Sequence, residues 1–554
     1  MLSRLPALLL LAWSCLAQNA ARMDQIVQSY VADHRFMGSV LVARGSEVLL
    51  SKGYGFANLE WDIPNAPNTK LRVGSITKQF TAASILLLEE RGKLKVSDPV
   101  KTYMADAPAA WDKVTIFHLL THTAGIPDFT EFSDFRKTEP FATTPEQLVA
   151  RFRDKPLEFE PGERMKYDNS GYVLLSYLIE KIAGETYEKF VRDNIFAPLS
   201  MKDTGYDSNS AIIPRRASGH MRKGNQFQNA SFIDMTVPQG AGGLYSTTED
   251  LLKWEQGLFG GKVLKPASFD KMTTPFKNFY AFGLFVSTSD GRKVIKHAGG
   301  VEGFNTELDY YPDGKVTVVV LSNVEGPAAE EIAGKLGTLV LGGTVALTSE
   351  RKQIAVDPSV LEHYVGSYQM PGGQPMVIRL EGPQLIAKLG DQQKVPIFPE
   401  SETMFFSKVA DAQFEFPKTQ GAEKARELTL HQNGREIKAP RMDQAAVDAL
   451  ATRVKNQTPM PGSEAALRRM IEELRAGKPD YDRMAPDLAA TTRENLADLR
   501  AMVSTLGAIR SVKFKGVGRA GADIYDVKFE HGLMEWRIAM GPDAKVTSVD
   551  VRTL

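Results

Sequence analysis

The spacing S-x-x-K occurs three times in the chain, and in a helical turn it places a serine and a lysine on one face. The pairs are Ser75 with Lys78, Ser268 with Lys271, and Ser349 with Lys352. A lysine takes the proton of a serine hydroxyl only when it is desolvated and partly neutral. Each pair is a candidate nucleophile and base for acyl transfer, and the surroundings must decide among them.

Only the first pair has surroundings that favour this chemistry. Ser75 follows Gly74 and opens a segment with helical apolar spacing. The positive end of a helix disfavours Lys78 as a cation and favours an anion at the Ser75 oxygen. Ser349 lies in a polar joint and Ser268 on a predicted surface helix, so we expect those two pairs to be exposed side chains.

The pattern Tyr-x-Asn occurs once, as Tyr167 and Asn169. A tyrosine whose phenolate is stabilised by a lysine can act as a general base toward serine, and an asparagine can bridge that lysine and a substrate amide. The alternative is structural. In that case Tyr167 only packs, and Asn169 caps a helix that begins near Ser170.

A third motif is His297-Ala298-Gly299, followed by Gly300 and preceded by a strand-like segment. It predicts that His297 lies on a sheet edge facing the nucleophile. Small residues there let a substrate backbone approach closely, and the Gly300 amide can pair with the Ser75 amide as an oxyanion hole. The alternative is an ordinary strand histidine in a glycine turn.

Two further histidines, His118 and His122, are four residues apart in a predicted helix. A zinc-peptidase helix needs a glutamate directly after its first histidine, and this chain has Leu119 there. We therefore expect structural hydrogen bonds for both histidines, no metal site and no organic cofactor.

Hydrophobic patterning predicts one α/β unit around these motifs. Gly45 turns a predicted β-hairpin, and Gly92 and Gly184 end predicted helices. The predicted strands are 38–44, 47–52 and 315–321, and the predicted helices are 75–91 and 172–183.

Two later segments differ in character. Residues 356–442 carry short alternating runs between glycine turns, which predicts a small all-β barrel or sandwich. The alternative to an active role for this domain is that of a passive spacer or lid. Residues 462–554 combine an amphipathic stripe over 466–474 and a second helix over 493–506 with alternating strands. This pattern predicts a cone-shaped α+β domain.

Residues 1–20 predict a secretory signal peptide. Arg4 precedes an apolar run from Leu5 to Leu16 that is too short to span a bilayer, and small residues follow it. Cys15 is the only cysteine and lies in this segment, so the mature chain has no thiol. Lipidation of Cys15 is an alternative that the preceding residues do not favour. We expect a periplasmic or secreted protein without a membrane span.

Composition limits the kinds of molecule that we expect the protein to bind. The chain has 554 residues, too many for one hydrophobic core, and equal numbers of basic and acidic residues, 67 each. A net charge of zero gives no field that favours nucleic acid or anionic lipid. The expected partner is a small-molecule or peptide substrate, and the sequence leaves the oligomeric state open.

With the three motifs in this order, residues 23–345 resemble the class C beta-lactamase and DD-peptidase family of penicillin-recognising serine hydrolases. The resemblance implies an α/β (α+β) beta-lactamase-like transpeptidase fold. It also implies Ser75 as the nucleophile and Lys78 with Tyr167 as the proton-transfer pair. The implied substrate-binding residues are Asn169, which bridges lysine and substrate, and His297, Gly299 and Gly300 on the substrate-binding strand. Other stretches that share the resemblance are 114–126, 159–162, 198–204 and 240–251.

Two positions depart from that family pattern. True beta-lactamases of this kind carry Lys-Thr-Gly where this chain has His297, and histidine is mostly neutral near pH 7. Asp168 is larger and charged where a small residue is usual. We therefore expect an exported serine hydrolase that acts through an acyl-enzyme on amides or esters, a peptidase or esterase rather than an efficient beta-lactamase. The alternative is a catalytically idle, penicillin-binding-like sensor or scaffold.

Overall fold

The computed structural model describes residues 5–553 except 225, 290, 372–373, 391, 410–411, 420–422, 433–434, 519–520 and 542. The chain divides into two compact units, one ending at Val345 and the other beginning at Ala346.

Strands of the first unit build a central sheet and several short ribbons. They are β1 (Gly38–Arg44), β2 (Glu47–Tyr54), β3 (Phe56–Asn58), β4 (Ile63–Pro64), β5 (Leu71–Arg72), β6 (Gly205–Tyr206), β7 (His220–Lys223), β8 (Gln226–Asn229), β9 (Leu244–Ser246), β10 (Phe285–Ser289), β11 (Arg292–Val301), β12 (Phe304–Tyr311) and β13 (Val316–Ser322). The central sheet has six antiparallel strands in the order β10-β11-β12-β13-β1-β2.

Helices of the same unit pack on this sheet and on one another. They are α1 (Leu5–Ala32), α2 (Thr77–Glu90), α3 (Ile116–Leu120), α4 (Phe135–Thr138), α5 (Pro145–Arg153), α6 (Asn169–Ala183), α7 (Tyr187–Val191), α8 (Gln239–Gly242), α9 (Thr248–Phe259), α10 (Pro266–Thr273) and α11 (Ala328–Val340). Every residue of β13 is buried, because helices cover its outer face as well as the core face. On α2, the ring of Phe80 packs against that of Trp254 in a tilted arrangement, with the ring centres 4.3 Å apart, which helps to hold the helix that follows the nucleophile.

The predicted elements of this unit are largely confirmed. The hairpin β1–β2 turns at Gly45, whose φ of +59° requires glycine, and Gly184 ends α6 in the left-handed conformation. The predicted helix over 75–91 begins later than expected. Gly74–Ile76 form a 3₁₀ turn, and the α-helix begins at Thr77.

In the second unit, eight strands close into an antiparallel barrel, which decides between the predicted barrel and sandwich. Helix α12 (Pro358–Tyr364) precedes it, and Tyr364 stacks on Phe416 in its core. The strands are β14 (Gly366–Gln369), β15 (Pro375–Glu381), β16 (Gln384–Leu389), β17 (Val395–Pro399), β18 (Met404–Ser407), β19 (Ala412–Glu415), β20 (Glu427–Gln432) and β21 (Arg435–Met442).

The last part of this unit is α+β, as predicted. Its helices are α13 (Gln444–Asn456), α14 (Ser463–Ala476), α15 (Pro486–Glu494) and α16 (Leu496–Leu506), and its four-stranded sheet is β22 (Ile509–Val517), β23 (Asp523–Phe529), β24 (Leu533–Met540) and β25 (Val546–Thr553). The predicted stripe of α14 is buried. The expected single helix over 493–506 is wrong, because Asn495 separates α15 from α16. The sequence patterning also missed α13.

The predicted signal peptide lies partly outside the described residues, and α1 begins at Leu5. None of the helices in the described part of the chain is long and apolar enough to cross a membrane.

Candidate active site

Ser75 lies in the 3₁₀ turn that joins β5 to α2, and Lys78 lies in the first turn of α2. Gly74 has a φ of +51°, and a Cβ on it would lie only 2.7 Å from the Gly300 nitrogen. The glycine therefore lets the nucleophile-bearing turn approach β11 closely. Lys78 places Nζ 3.0 Å from Ser75 Oγ.

The Lys78 ammonium has no exposed surface and three hydrogen-bond acceptors. Besides Ser75 Oγ, Nζ donates to Asn169 Oδ1 at 2.9 Å and to the Ala241 carbonyl at 2.9 Å. Burial lowers the pKa of Lys78 to about 7, although the carboxylates of Asp128 and Asp168 oppose this shift. A substantial fraction of Lys78 is thus neutral at physiological pH.

Tyr167 lies directly beside this pair. Lys78 Nζ is 4.8 Å from the centre of its ring. Burial raises the pKa of Tyr167, against the effect of its side-chain hydrogen bond with Ser75. At Tyr167, burial thus favours the neutral phenol, which can pass a proton on, over the phenolate.

Asn169 is the first residue of α6, and the cap of that helix is Asp168, whose carboxylate accepts from the Gly171 backbone nitrogen. The proposed capping role of Asn169 is therefore wrong. Its amide nitrogen donates to Asp128 Oδ2 at 3.1 Å and to Thr130 Oγ1 at 3.3 Å. Asn169 thus links Lys78 to a buried carboxylate.

The histidine motif lies on β11, where the strand changes neighbours. Pairing with β10 ends at Lys296, so within the described chain residues 297–301 have a strand partner only on the β12 side. Gly299 packs directly on the Val73 carbonyl, and a Cβ there would lie 2.0 Å from that oxygen. The motif is therefore held against the nucleophile-bearing turn.

His297 itself is buried and does not line the cavity described below. Its Nε2 lies 3.3 Å from the Tyr280 hydroxyl and its Nδ1 2.6 Å from the Ala298 carbonyl oxygen. Burial, and then the charge of Lys78, lower the pKa of His297 to about 3, so this imidazole is neutral.

The contact between His122 and Asp168, beside Tyr167, was not predicted as part of the site. His122 Nδ1 lies 3.2 Å from Asp168 Oδ2, and the His122 ring packs 4.3 Å from that of Tyr167. Burial raises the pKa of Asp168 to about 7 and lowers that of His122 well below its usual value. Within this buried pair His122 is neutral, and Asp168 is partly protonated near pH 7. His118 instead completes the capping box of α3, in which Thr115 is the N-cap and the Thr115 backbone nitrogen donates to His118 Nδ1.

The other two serine and lysine pairs lack comparable contacts. Lys271 donates to Glu89 at 2.8 Å, and Ser268 is buried, contrary to the expectation of an exposed side chain. Ser349 is exposed in a 3₁₀ turn. No group of three or more His, Cys, Asp or Glu residues in the described part of the chain is arranged to hold a metal ion.

A cavity of about 500 Å³ opens above Ser75. Ser75, Asn169 and Gly300 line it, whereas Lys78, Tyr167 and His297 do not. Its apolar walls are Phe129, Phe135, Ile233, Val237 and Phe304. The charged residues at the cavity are Arg136, Glu302 and Glu325.

Comparison with known proteins agrees with this architecture. The Beta-lactamase family matches residues 23–341, and a domain of unknown function, DUF3471, matches residues 350–444. Penicillin-binding protein 4* of Bacillus subtilis (strain 168) is 30% identical over 436 residues, which cover 74% of this chain and 95% of that protein.

Solved structures share the fold. The octameric penicillin-binding protein homologue from Pyrococcus abyssi superposes with a TM-score of 0.54 at 26% identity, over 76% of this chain and 99% of that one. The D-amino acid amidase from Ochrobactrum anthropi SV3 has a TM-score of 0.52 at 22% identity, over 59% of this chain and 98% of that one, and shows a likeness of fold alone.

A mixed α/β fold of this type, with a serine in contact with a buried lysine, defines a class of serine hydrolases. The chain belongs to the Beta-lactamase family, to which penicillin-binding proteins are related, and the family prediction is confirmed.

Proposed function

We propose that this protein is an exported hydrolase that cleaves amides or esters through an acyl-enzyme on Ser75. The observation that carries the proposal is the 3.0 Å contact between Lys78 Nζ and Ser75 Oγ, inside a site that excludes water from the lysine. A neutral amine at that distance is placed to receive the serine proton.

In the proposed reaction, Ser75 Oγ forms a bond to the substrate carbonyl carbon while its proton passes to the neutral Lys78 amine, directly or through the Tyr167 hydroxyl. The carbonyl oxygen becomes an oxyanion, for which the backbone amides of Ser75 and Gly300 are the proposed donors. The proton then moves to the leaving amine or alcohol as its bond to carbon breaks. Water, activated by the same groups, releases the acid from Ser75.

Asn169 and the β11 strand have the proposed role of binding substrate. Asn169 lines the cavity while its oxygen holds Lys78. The backbone of residues 297–301 offers an unpaired edge, along which an extended substrate can lie. Because His297 is neutral and buried, it offers no charge to a carboxylate, which supports peptidase or esterase activity over efficient beta-lactamase activity.

Export rests on the sequence of residues 1–20, whose short apolar run after Arg4 has the form of a signal peptide. Expression of the full chain in a bacterial host, followed by fractionation and N-terminal sequencing, tests it. A mature protein in the periplasm or medium that lacks about the first 20 residues is expected. An intact N-terminus in the cytosol would contradict export.

A fluorescent phosphonate tests the chemistry. The full-length protein should form one stoichiometric adduct, on the peptide that contains Ser75, and should give a burst of nitrophenol with p-nitrophenyl butyrate. Ser75→Ala should lose both signals, and Ser349→Ala, at an exposed serine of the same spacing, is the matched control. Labelling that persists in Ser75→Ala would refute the assignment.

A further inference from the structure

The cavity above Ser75 carries an uneven set of charges. One cation, Arg136, and two carboxylates, Glu302 and Glu325, line it. Arg136 donates to Glu302 at 2.8 Å and to the buried Glu139 at 3.2 Å, so its charge is matched within the protein. No other charged side chain of the described residues lines this cavity.

Unlike Glu302, Glu325 has no partner cation among the residues that the structure describes. Its Oε1 accepts from the Gly303 backbone nitrogen at 2.8 Å, which holds the carboxylate in place. Its second oxygen has no hydrogen-bond or ion-pair partner among the described residues. The Coulomb attraction of a fixed carboxylate for a cation is stronger in a partly closed cavity than in bulk water.

Glu325 is connected to Gly300 through two neighbouring residues. Asn305 pairs with Gly300 across the β11–β12 ladder, and its Oδ1 accepts from the Gly326 nitrogen at 3.0 Å. Glu325 therefore directly precedes Gly326, which is hydrogen-bonded to the β12 residue that pairs with Gly300. Glu325 lines the same cavity as Ser75 and is connected to Gly300 only through these residues.

We propose that Glu325 binds a primary ammonium group on the acyl part of the substrate, several bonds away from the carbonyl that Ser75 attacks. The substrate class is thus amides or esters of amino-substituted acids. A substrate carboxylate is disfavoured, because it meets Glu325 and finds Arg136 already paired. This inference rests on the proposed function and specifies the substrate of the same site.

Three p-nitroanilides of similar length test the proposal: 6-aminohexanoyl, hexanoyl and 5-carboxypentanoyl. The ω-amine is charged throughout the neutral range, so the assay can run at pH 8, where Lys78 is mostly neutral. We expect kcat/KM to be highest for the ammonium substrate and lowest for the carboxylate. Glu325→Gln, which keeps an acceptor for Gly303, should reduce the ratio of ammonium to neutral substrate about tenfold, and Glu249→Gln, exposed on α9, should not.

Binding to the inactive variant separates this proposal from the reaction itself. Calorimetry on Ser75→Ala should show tighter binding of 6-aminohexanoyl p-nitroanilide than of the hexanoyl compound, and Ser75→Ala with Glu325→Gln should lose that difference. Equal binding in Ser75→Ala, or an unchanged preference after Glu325→Gln, overturns the ammonium site. If Ser75→Ala binds the ammonium compound more tightly than the hexanoyl compound, while Ser75 of the wild type is not labelled by the phosphonate, the proposed chemistry is wrong and the ammonium site stands.

Discussion

The side-chain oxygen of Asn169 lies 2.9 Å from Lys78 Nζ, and this contact determines the orientation of the amide. With its oxygen toward the lysine, the amide presents its nitrogen to Asp128 at 3.1 Å. An ionised carboxylate only accepts hydrogen bonds, so Asp128 stabilises this orientation and disfavours the flipped one. Asp128 is thus a positioning residue for the group that holds Lys78.

The pH dependence of the reaction should report Lys78. Its pKa is lowered to about 7, and only the neutral amine can accept the Ser75 proton. We expect kcat/KM for p-nitrophenyl butyrate to rise with pH through an apparent pKa near 7 and then level off. A profile that is flat between pH 6 and 8 would contradict this role.

The variant His297→Gln distinguishes Lys78 from the histidine as the titrating group. Because the pKa of His297 is lowered to about 3, it stays neutral across this range and should not produce the rising limb. The variant loses the imidazole beside Tyr280, so the plateau should fall, while the apparent pKa near 7 remains. Loss of that ionisation in His297→Gln would assign it to the histidine.

Replacing Asp128 with asparagine should change both the plateau and the midpoint of the dependence of kcat/KM on pH. The negative charge of Asp128 raises the pKa of Lys78, so its removal should lower that pKa and move the rising limb to lower pH. The new amide also permits Asn169 to flip, which should reduce kcat about tenfold through loss of a charge-assisted hydrogen bond. Asp313→Asn, at an exposed turn, is the control and should leave the midpoint unchanged. A fall in kcat without a shift in midpoint would indicate a purely structural role.

Gly74→Ala should reduce turnover without preventing folding. A Cβ at this position collides with the Gly300 nitrogen, so the two proposed oxyanion-hole amides must move apart. We expect kcat on p-nitrophenyl butyrate to fall about 10²- to 10³-fold. Gly92→Ala has a similar positive φ of +68° but no atom within 4 Å of the new Cβ, so it should cost about 1 kcal/mol of stability and no activity. Equal losses of kcat in both variants would show that backbone strain alone is responsible.

Stability should depend on pH through Glu255, which is buried on α9 and whose Oε2 has no hydrogen-bond partner in the described part of the chain. Burial, and then the charge of Asp309, raise its pKa well above the usual value, so the folded protein retains a proton that the unfolded chain loses above about pH 4.3. The wild-type free energy of unfolding should therefore decrease relative to Glu255→Gln, by up to about 1.4 kcal/mol per pH unit, as the pH rises above the pKa of an unfolded glutamate. Urea unfolding at several pH values measures this difference. The free energy of unfolding of Glu249→Gln should vary with pH as that of the wild type does. A constant difference would mean that Glu255 is ionised in the folded state.

The sequence predicted the parts of the site that depend on local spacing. Ser75 and Lys78 share a turn, so their contact follows from their separation of three residues. The hairpin at Gly45 and the end of α6 at Gly184 also follow from local conformational preferences. The barrel was open to two interpretations because the strand pattern alone does not show whether the sheet closes.

Contacts between residues far apart along the chain could not be predicted from the sequence. His122 and Asp168 meet across 46 positions, and Asp128 reaches Asn169 across 41. No periodicity signals such pairs, although all four residues lie in or near the stretches that resemble the family. The burial of His297 was likewise missed, because an alternating strand pattern does not say which face a histidine occupies when the edge itself changes neighbours.

The loss of a strand partner after Lys296 also bears on self-association of the folded protein. An unpaired sheet edge is a place where a second molecule can add a strand and start aggregation. Here the nucleophile-bearing turn packs on the face of the sheet beside that edge, with Thr306 Oγ1 donating to the Val73 carbonyl at 2.9 Å and Gly299 packed on the same oxygen. The edge along which a substrate is proposed to lie is therefore also a place where a strand of another molecule can add, so the protein should aggregate more readily with an empty cavity than with a substrate analogue bound.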